Sequence, residues 1–161
     1  MTALPGQVIV DCGIVSDMIE PATQVQPCGV DLTIGKIDMI TSYGVIDFDN
    51  KSRKLPGTVE LWNQKILHQG CYLITLNETV SVPKDCLGII RPRSSLLRMG
   101  ASIESALWDA GYVGKGQVLL VVHNEDGIMI LPNARIAQII FIKMDQTPSK
   151  QYNGRYQNEN L

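Results

Sequence analysis

Short apolar runs, each closed by turn-forming residues, set the rhythm of this chain. They fall at 8–10, 29–34, 36–40, 59–61, 65–67, 71–75, 79–82, 87–92, 117–124, 127–131 and 137–144. They are rich in Val, Ile and Leu, and several alternate apolar with polar positions, the period of a half-buried strand. Pro-Gly at 56–57, His-Gln-Gly at 68–70, Pro-Lys-Asp at 83–85 and Asn-Glu-Asp-Gly at 124–127 read as turns. Asp126-Gly127 between two apolar runs predicts a hairpin. Two stretches favour helix: 16–19, which Pro21 would end, and 95–99, which Gly100 would end after a cap from Ser94 or Ser95. Many strands with one or two short helices predict an all-β barrel or sandwich in a single domain, 1–161.

The stretch 145–161 breaks the pattern, being polar around Tyr152, Gly154, Arg155, Tyr156 and Gln157. Composition predicts a mobile C-terminal tail there. Its arginine and tyrosines also suit a lid that closes over a ligand.

Composition narrows the function classes. A chain of 161 residues with 45% hydrophobic and 19% charged content can bury a core and is not disordered. A net charge of −2 gives no general attraction for nucleic acid or an anionic membrane, so neither is an expected partner. A polyanionic ligand would need a local basic pocket. No apolar run reaches the roughly twenty residues that span a bilayer. The first residues hold no basic region followed by an apolar stretch, and the expectation is a cytoplasmic protein. Cys12, Cys28, Cys71 and Cys86 form no CxxC pair. They read as buried thiols in a reducing compartment, with a disulfide as the lesser option and structural zinc disfavoured.

Arg91-Pro-Arg-Ser-Ser-Leu-Leu-Arg-Met-Gly100, followed by Trp108-Asp-Ala-Gly-Tyr-Val-Gly114, carries the candidate chemistry. Free N–H groups at a helix start attract an anion, and Arg93 adds a bidentate fork. Asp109 and Tyr112 supply a base for water and a flat apolar surface within one turn. Each piece alone is common as a plain cap or hairpin; their close succession points to a nucleotide. Trp62, Trp108 and His123 read as packing residues, and Arg91 serves a subunit salt bridge as readily as a phosphate.

With these residues in place, the chain resembles the superfamily of trimeric dUTPases and dCTP deaminases, most closely its short archaeal dUTPase-like members. The resemblance runs from about Gln26 to the C-terminus, through five motifs in order. These are Gln26-Pro-Cys-Gly-Val-Asp-Leu-Thr-Ile-Gly35, Gly88-Ile-Ile-Arg-Pro-Arg-Ser-Ser-Leu96 with Arg98 and Gly100, and Asp109-Ala-Gly-Tyr112 with Gly114. Arg135-Ile-Ala-Gln138 and Tyr152-Asn-Gly-Arg-Tyr-Gln157 complete the set. The resemblance implies a distorted β-barrel or jelly roll of the dUTPase type, a β-clip, and a homotrimer with active sites at subunit interfaces.

Two reactions belong to that superfamily. A dUTPase hydrolyses dUTP to dUMP and pyrophosphate; a dCTP deaminase attacks cytosine with a Glu three residues before an Asn. Here that position is Val121, in Gln117-Val-Leu-Leu-Val-Val-His-Asn124, and no carboxylate lies between Tyr112 and Asn124. The zinc deaminase signature is absent as well. The resemblance therefore implies a dUTP diphosphatase in which Asp109 activates water and Tyr112 lies against the deoxyribose. Arg93, Ser94, Ser95 and Gln138 would hold the phosphates, with Arg98, Tyr152, Arg155 and Gln157 as further substrate contacts. Asp31 would help hold Mg²⁺ through water. The alternatives are a dCTP deaminase, a bifunctional enzyme of both activities, or a non-catalytic nucleotide-binding regulator. Glu104 is the nearest carboxylate ahead of the turn that a deaminase reading could use.

Overall fold

The computed structural model describes residues 1–61 and 66–161. Trp62 and the first residue of the strand expected at 65–67 lie outside them. The first third of the chain runs β1 (Thr2–Ala3), α1 (Gly6–Asp11), β2 (Val15–Ser16), α2 (Pro21–Gln24), β3 (Val25–Gln26), β4 (Gly29–Ile40) and β5 (Thr58–Glu60). The middle runs β6 (Ile66–Leu67), β7 (Gly70–Leu76), β8 (Thr79–Ser81), β9 (Cys86–Pro92), α3 (Ser94–Arg98) and β10 (Ala101–Glu104). It ends with β11 (Val113–Gly114), β12 (Gln117–Val122), β13 (Ile128–Met129) and β14 (Arg135–Lys143).

Nine strands form one curled sheet with the path β1-β14-β4-β7-β12-β10, from which β3, β5 and β9 branch. A three-stranded sheet, β11-β8-β2, and the pair β13-β6 complete the all-β architecture expected from the sequence. Alternation decides what faces inward: Val118, Leu120 and Val122 of β12 are buried while Gln117, Leu119 and Val121 are half-buried. The core gathers Ile9, Leu32, Ile74, Leu120, Ile139 and Phe141, each fully enclosed.

Several local expectations give way to tertiary context. Residues 8–10 are helical within α1, because Ile9 is buried there while Val8 is exposed and Val10 is half-buried against the core. The helix expected at 16–19 is absent: Ser16 pairs with Thr79, and Pro21 opens α2 instead of ending a helix. The runs 29–34 and 36–40 are one twelve-residue strand with a register shift between Ile34 and Lys36. Asn124–Gly127 turns, but β13 leaves β12 and pairs with β6, so no hairpin forms. The four thiols are free, and three of them, Cys12, Cys28 and Cys71, are exposed; only Cys86 is buried as expected. No described helix is long and apolar enough to cross a membrane.

Candidate active site

Two clusters hold the sequence-predicted site residues. The first lies where β9 runs into α3. Arg93 occupies the N-cap position with extended backbone, so Ser94 and Ser95 stand inside the helix and neither hydroxyl caps it. Both serines are exposed and open to a ligand. Gly100 ends the helix at φ +78, a conformation that a β-carbon would oppose. Arg98 turns back to donate to the Ser94 carbonyl at 3.1 Å.

Asp31 organises this cluster from β4. Its side chain is 2% exposed and lies 2.9 Å from Arg93 Nε and 3.2 Å from Arg135 Nη1. Gln138 Nε2 donates to its other oxygen at 3.3 Å. Burial pushes the Asp31 carboxyl above its ordinary range, and the two guanidiniums and the Gln138 amide only partly offset that. Arg135 and Gln138 are three apart, so in a regular strand they would face opposite sides. A register shift between Arg135 and Ala137 makes Ile136 the extra residue of a bulge, and both side chains then reach Asp31.

The second cluster surrounds a cavity of about 690 Å³, a size that suits a small organic ligand. Asp109, Trp108 and Tyr112 line it from the turn, and Lys36, Asp38, Leu73 and Gln117 line it from the sheet. The sheet residues are cross-strand neighbours, in the rows Lys36–Thr75–Gln117 and Asp38–Leu73. Asp109 is exposed, next to a Trp108 whose backbone pairs with Gly88 of β9. The turn needs Gly111, which sits at φ +87. Trp108 is 7% exposed and donates from its indole to Ser105 at 3.0 Å, in keeping with a packing role.

The tail lies against this turn. Tyr152 N–H donates to the Ala110 carbonyl, Gln157 Nε2 donates to the Gly111 carbonyl, and Val113 N–H donates to Gln157 Oε1. The Tyr112 ring is 6% exposed, with Trp108 at 5.1 Å and Tyr152 at 5.6 Å edge-on. Its hydroxyl donates to Glu159 at 2.9 Å. Burial, with the Glu159 contact, pushes the Tyr112 phenol up; burial also raises Glu159, and the hydrogen bond from Tyr112 opposes that. Arg155 is exposed.

The two clusters do not meet within one chain. None of Arg93, Ser94, Ser95, Arg98 or Gln138 lines the cavity that Asp109 lines. Trp108 pairs with Gly88, and Arg93 lies five residues further along extended backbone, roughly 16 Å away. Val121 is half-buried between Ser102 and Cys71, on the β12 face that carries Gln117, and it brings no carboxylate. Glu104 is exposed at the end of β10 and does not line the cavity. Sequence reasoning missed Lys36, Asp38, Gln117 and Glu159. Polar residues two apart inside an apolar strand, as in Lys36-Ile-Asp38, were the available signal.

Comparison with known proteins decides the family. The sequence profile described as dCTP deaminase-like matches residues 7–144. The chain belongs to the dCTP deaminase-like family. It is 43% identical over 152 residues, 92% of this chain and 89% of the relative, to the probable deoxyuridine 5'-triphosphate nucleotidohydrolase of Methanococcoides burtonii. It is also 43% identical over 125 residues to the deoxyuridine 5'-triphosphate nucleotidohydrolase of Methanocaldococcus jannaschii, covering 74% of this chain and 79% of that one. In structure it resembles the 2'-deoxycytidine 5'-triphosphate deaminase of Agrobacterium tumefaciens, with TM-score 0.64 and 22% identity. That match takes 86% of this chain but spans only 47% of the deaminase chain. A Staphylococcus bacteriophage 80alpha dUTPase superposes with TM-score 0.50 at 16% identity, over 87% of this chain and 95% of that one. These structural likenesses speak for the fold alone.

Proposed function

We propose that this chain is a dUTP diphosphatase, hydrolysing dUTP to dUMP and pyrophosphate. One observation carries the reading: the cavity of about 690 Å³ that Tyr112 lines also presents the exposed carboxylate of Asp109. The names of the archaeal relatives agree with it. The β12 face offers Val121 where a deaminating carboxylate would stand, which weighs against ammonia release.

Asp109 accepts a proton from water as its oxygen attacks the α-phosphorus, and the α–β anhydride breaks with pyrophosphate leaving. Arg93, Ser94, Ser95 and Gln138 bind the phosphates, while Arg98 and the tail residues Tyr152, Arg155 and Gln157 close the contacts. Because the two clusters stand apart in one chain, the complete site forms between copies, in a homotrimer. The mobile-lid reading of 145–161 belongs to the same proposal, as does a cytoplasmic place beside the nucleotide pool.

The residues do not fit a directly bound metal. Asp31 already accepts from Arg93, Arg135 and Gln138, and no three His, Cys, Asp or Glu among the described residues could hold an ion. Mg²⁺ would come in on the triphosphate's own oxygens, with water between it and Asp31.

Product analysis with dUTP and dCTP, each supplied separately with and without Mg²⁺, tests the proposal. Pyrophosphate and dUMP from dUTP are expected, and ammonia from dCTP would overturn it. Asp109→Asn should lower kcat by about 10²–10⁴ while dUTP binding persists. A variant that retains most of its kcat would remove Asp109 from the water-activating role.

A further inference from the structure

Glu78 is fully enclosed, in the turn between β7 and β8, and its hydrogen-bond partners among the described residues are the uncharged Gln24 and Thr33. Its Oε1 accepts from Gln24 Nε2 at 2.7 Å and from the Thr33 hydroxyl at 2.6 Å. Its Oε2 accepts from the Thr33 N–H at 2.9 Å. Gln24 Nε2 also donates to the Asp31 carbonyl at 2.9 Å. Asn77, next in the chain, donates to the Thr33 hydroxyl at 2.9 Å and so fixes which way that hydroxyl points.

Burying a carboxyl group is costly unless every lone pair is used, and an apolar side chain of similar size would stabilise a core at least as well. Such a network is informative about geometry more than about stability. Its geometry is specific here. Thr33 faces Arg135 and Asp31 faces Gln138 across the β4–β14 pair, and the Ile136 bulge sits between those two rows. Without the bulge, residues three apart would send Arg135 and Gln138 to opposite faces, so the cradle depends on that irregularity keeping its place. Glu78 grips β4 at Thr33 directly and at Asp31 through Gln24, on either side of the bulged row.

We infer that Glu78 is a positioning residue: it clamps the β4 segment opposite the bulge, and so sets the geometry in which Asp31 gathers Arg93, Arg135 and Gln138 to bind phosphates. This rests on the cradle reading proposed above, and it extends that reading to a residue remote from any ligand. The carboxylate does its work as an acceptor. In Glu78→Gln an NH₂ group would face either the Thr33 N–H or the pair of donors from Gln24 and Thr33, donor against donor. Thr33→Val removes one of the three hydrogen bonds while keeping the volume.

The test is calorimetric titration of inorganic pyrophosphate and of dUMP into wild type, E78Q and T33V, alongside dUTP kinetics and thermal midpoints. Loss of cradle geometry should weaken pyrophosphate about tenfold in E78Q and less in T33V, the scale seen for outer-shell partners of a binding group. Affinity for dUMP should stay within about twofold, and KM should rise more than kcat falls. Unchanged pyrophosphate affinity in folded E78Q overturns the inference, as does equal weakening of pyrophosphate and dUMP with a fallen midpoint. Should E78Q not fold, T33V with wild-type pyrophosphate affinity overturns it equally. Wild type that binds neither ligand removes the cradle reading and this inference together. Wild type that hydrolyses dUTP beside an unaffected E78Q removes only the inference.

Discussion

Two inactive variants should restore activity when their subunits are mixed. Asp109 lines one cavity, and the cradle around Arg93 stands roughly 16 Å along β9 from the strand position paired with Trp108. If each site takes its carboxylate from one copy and its cradle from the next, Asp109→Asn and Arg93→Ala damage different halves of every site. Arg135 still pairs with Asp31 in the second variant, so the cluster keeps a cation. In an assembly refolded from equal amounts, the carboxylate half is intact with probability one half, and so is the cradle half. About one quarter of sites then hold both, and about one quarter of wild-type turnover per subunit should return. A site completed inside one chain gives a different number: every chain carries one lesion, and recovery is zero. The assay is pyrophosphate release from dUTP after co-refolding differently tagged subunits, with mixed assemblies verified by intact mass. Mixed assemblies no more active than their parents would refute the shared-site reasoning.

Asp31→Ala leaves two guanidiniums, each about 30% exposed, facing one another without their shared acceptor. The expected loss is about 2–3 kcal/mol, below the range for a fully buried broken pair because water reaches both arginines. Urea unfolding measures it, and a change under about 0.5 kcal/mol would dismiss Asp31 as the organiser. Cysteine alkylation at pH 8 followed by mass spectrometry should add groups at Cys12, Cys28 and Cys71 and spare Cys86. Burial and the neighbouring Asp85 carboxylate push the Cys86 thiol up to about 11, so only about one molecule in a thousand carries its thiolate at that pH. Rapid modification of Cys86 in the native protein would contradict its burial.

Strand identity was legible in the sequence because alternation and turn residues act locally. The strands at 71–75, 87–92, 117–122 and 137–143 emerge from apolar runs that burial then uses on one face. What failed was decided at longer range. The apolar triplet at 8–10 has strand composition, yet a helix lets Ile9 enter the core beside β3 and β4. The Asp-Gly turn at 126–127 has hairpin chemistry, yet Ile128 finds Leu67 instead of β12. The motif residues of the cradle were readable one by one. Their convergence on Asp31 was not, because a bulge cannot be seen in a sequence whose two-residue period it breaks.

The tail changes what Tyr112 can do. A ring meant to lie against a sugar must offer a face, but Trp108 and Tyr152 meet this ring at 5.1 and 5.6 Å and leave it 6% exposed. Gln157 meanwhile satisfies both the Gly111 carbonyl and the Val113 N–H, a donor and an acceptor of the kind a pyrimidine edge presents. A nucleotide bound as proposed would therefore compete with these tail contacts for the turn, and Tyr152 and Gln157 would close on it only after leaving that turn. Binding to this turn must displace tail contacts before it can gain its own, and the affinity measured will be the difference between the two sets. Residues read from the sequence as ligand contacts thus serve first as contacts to one another.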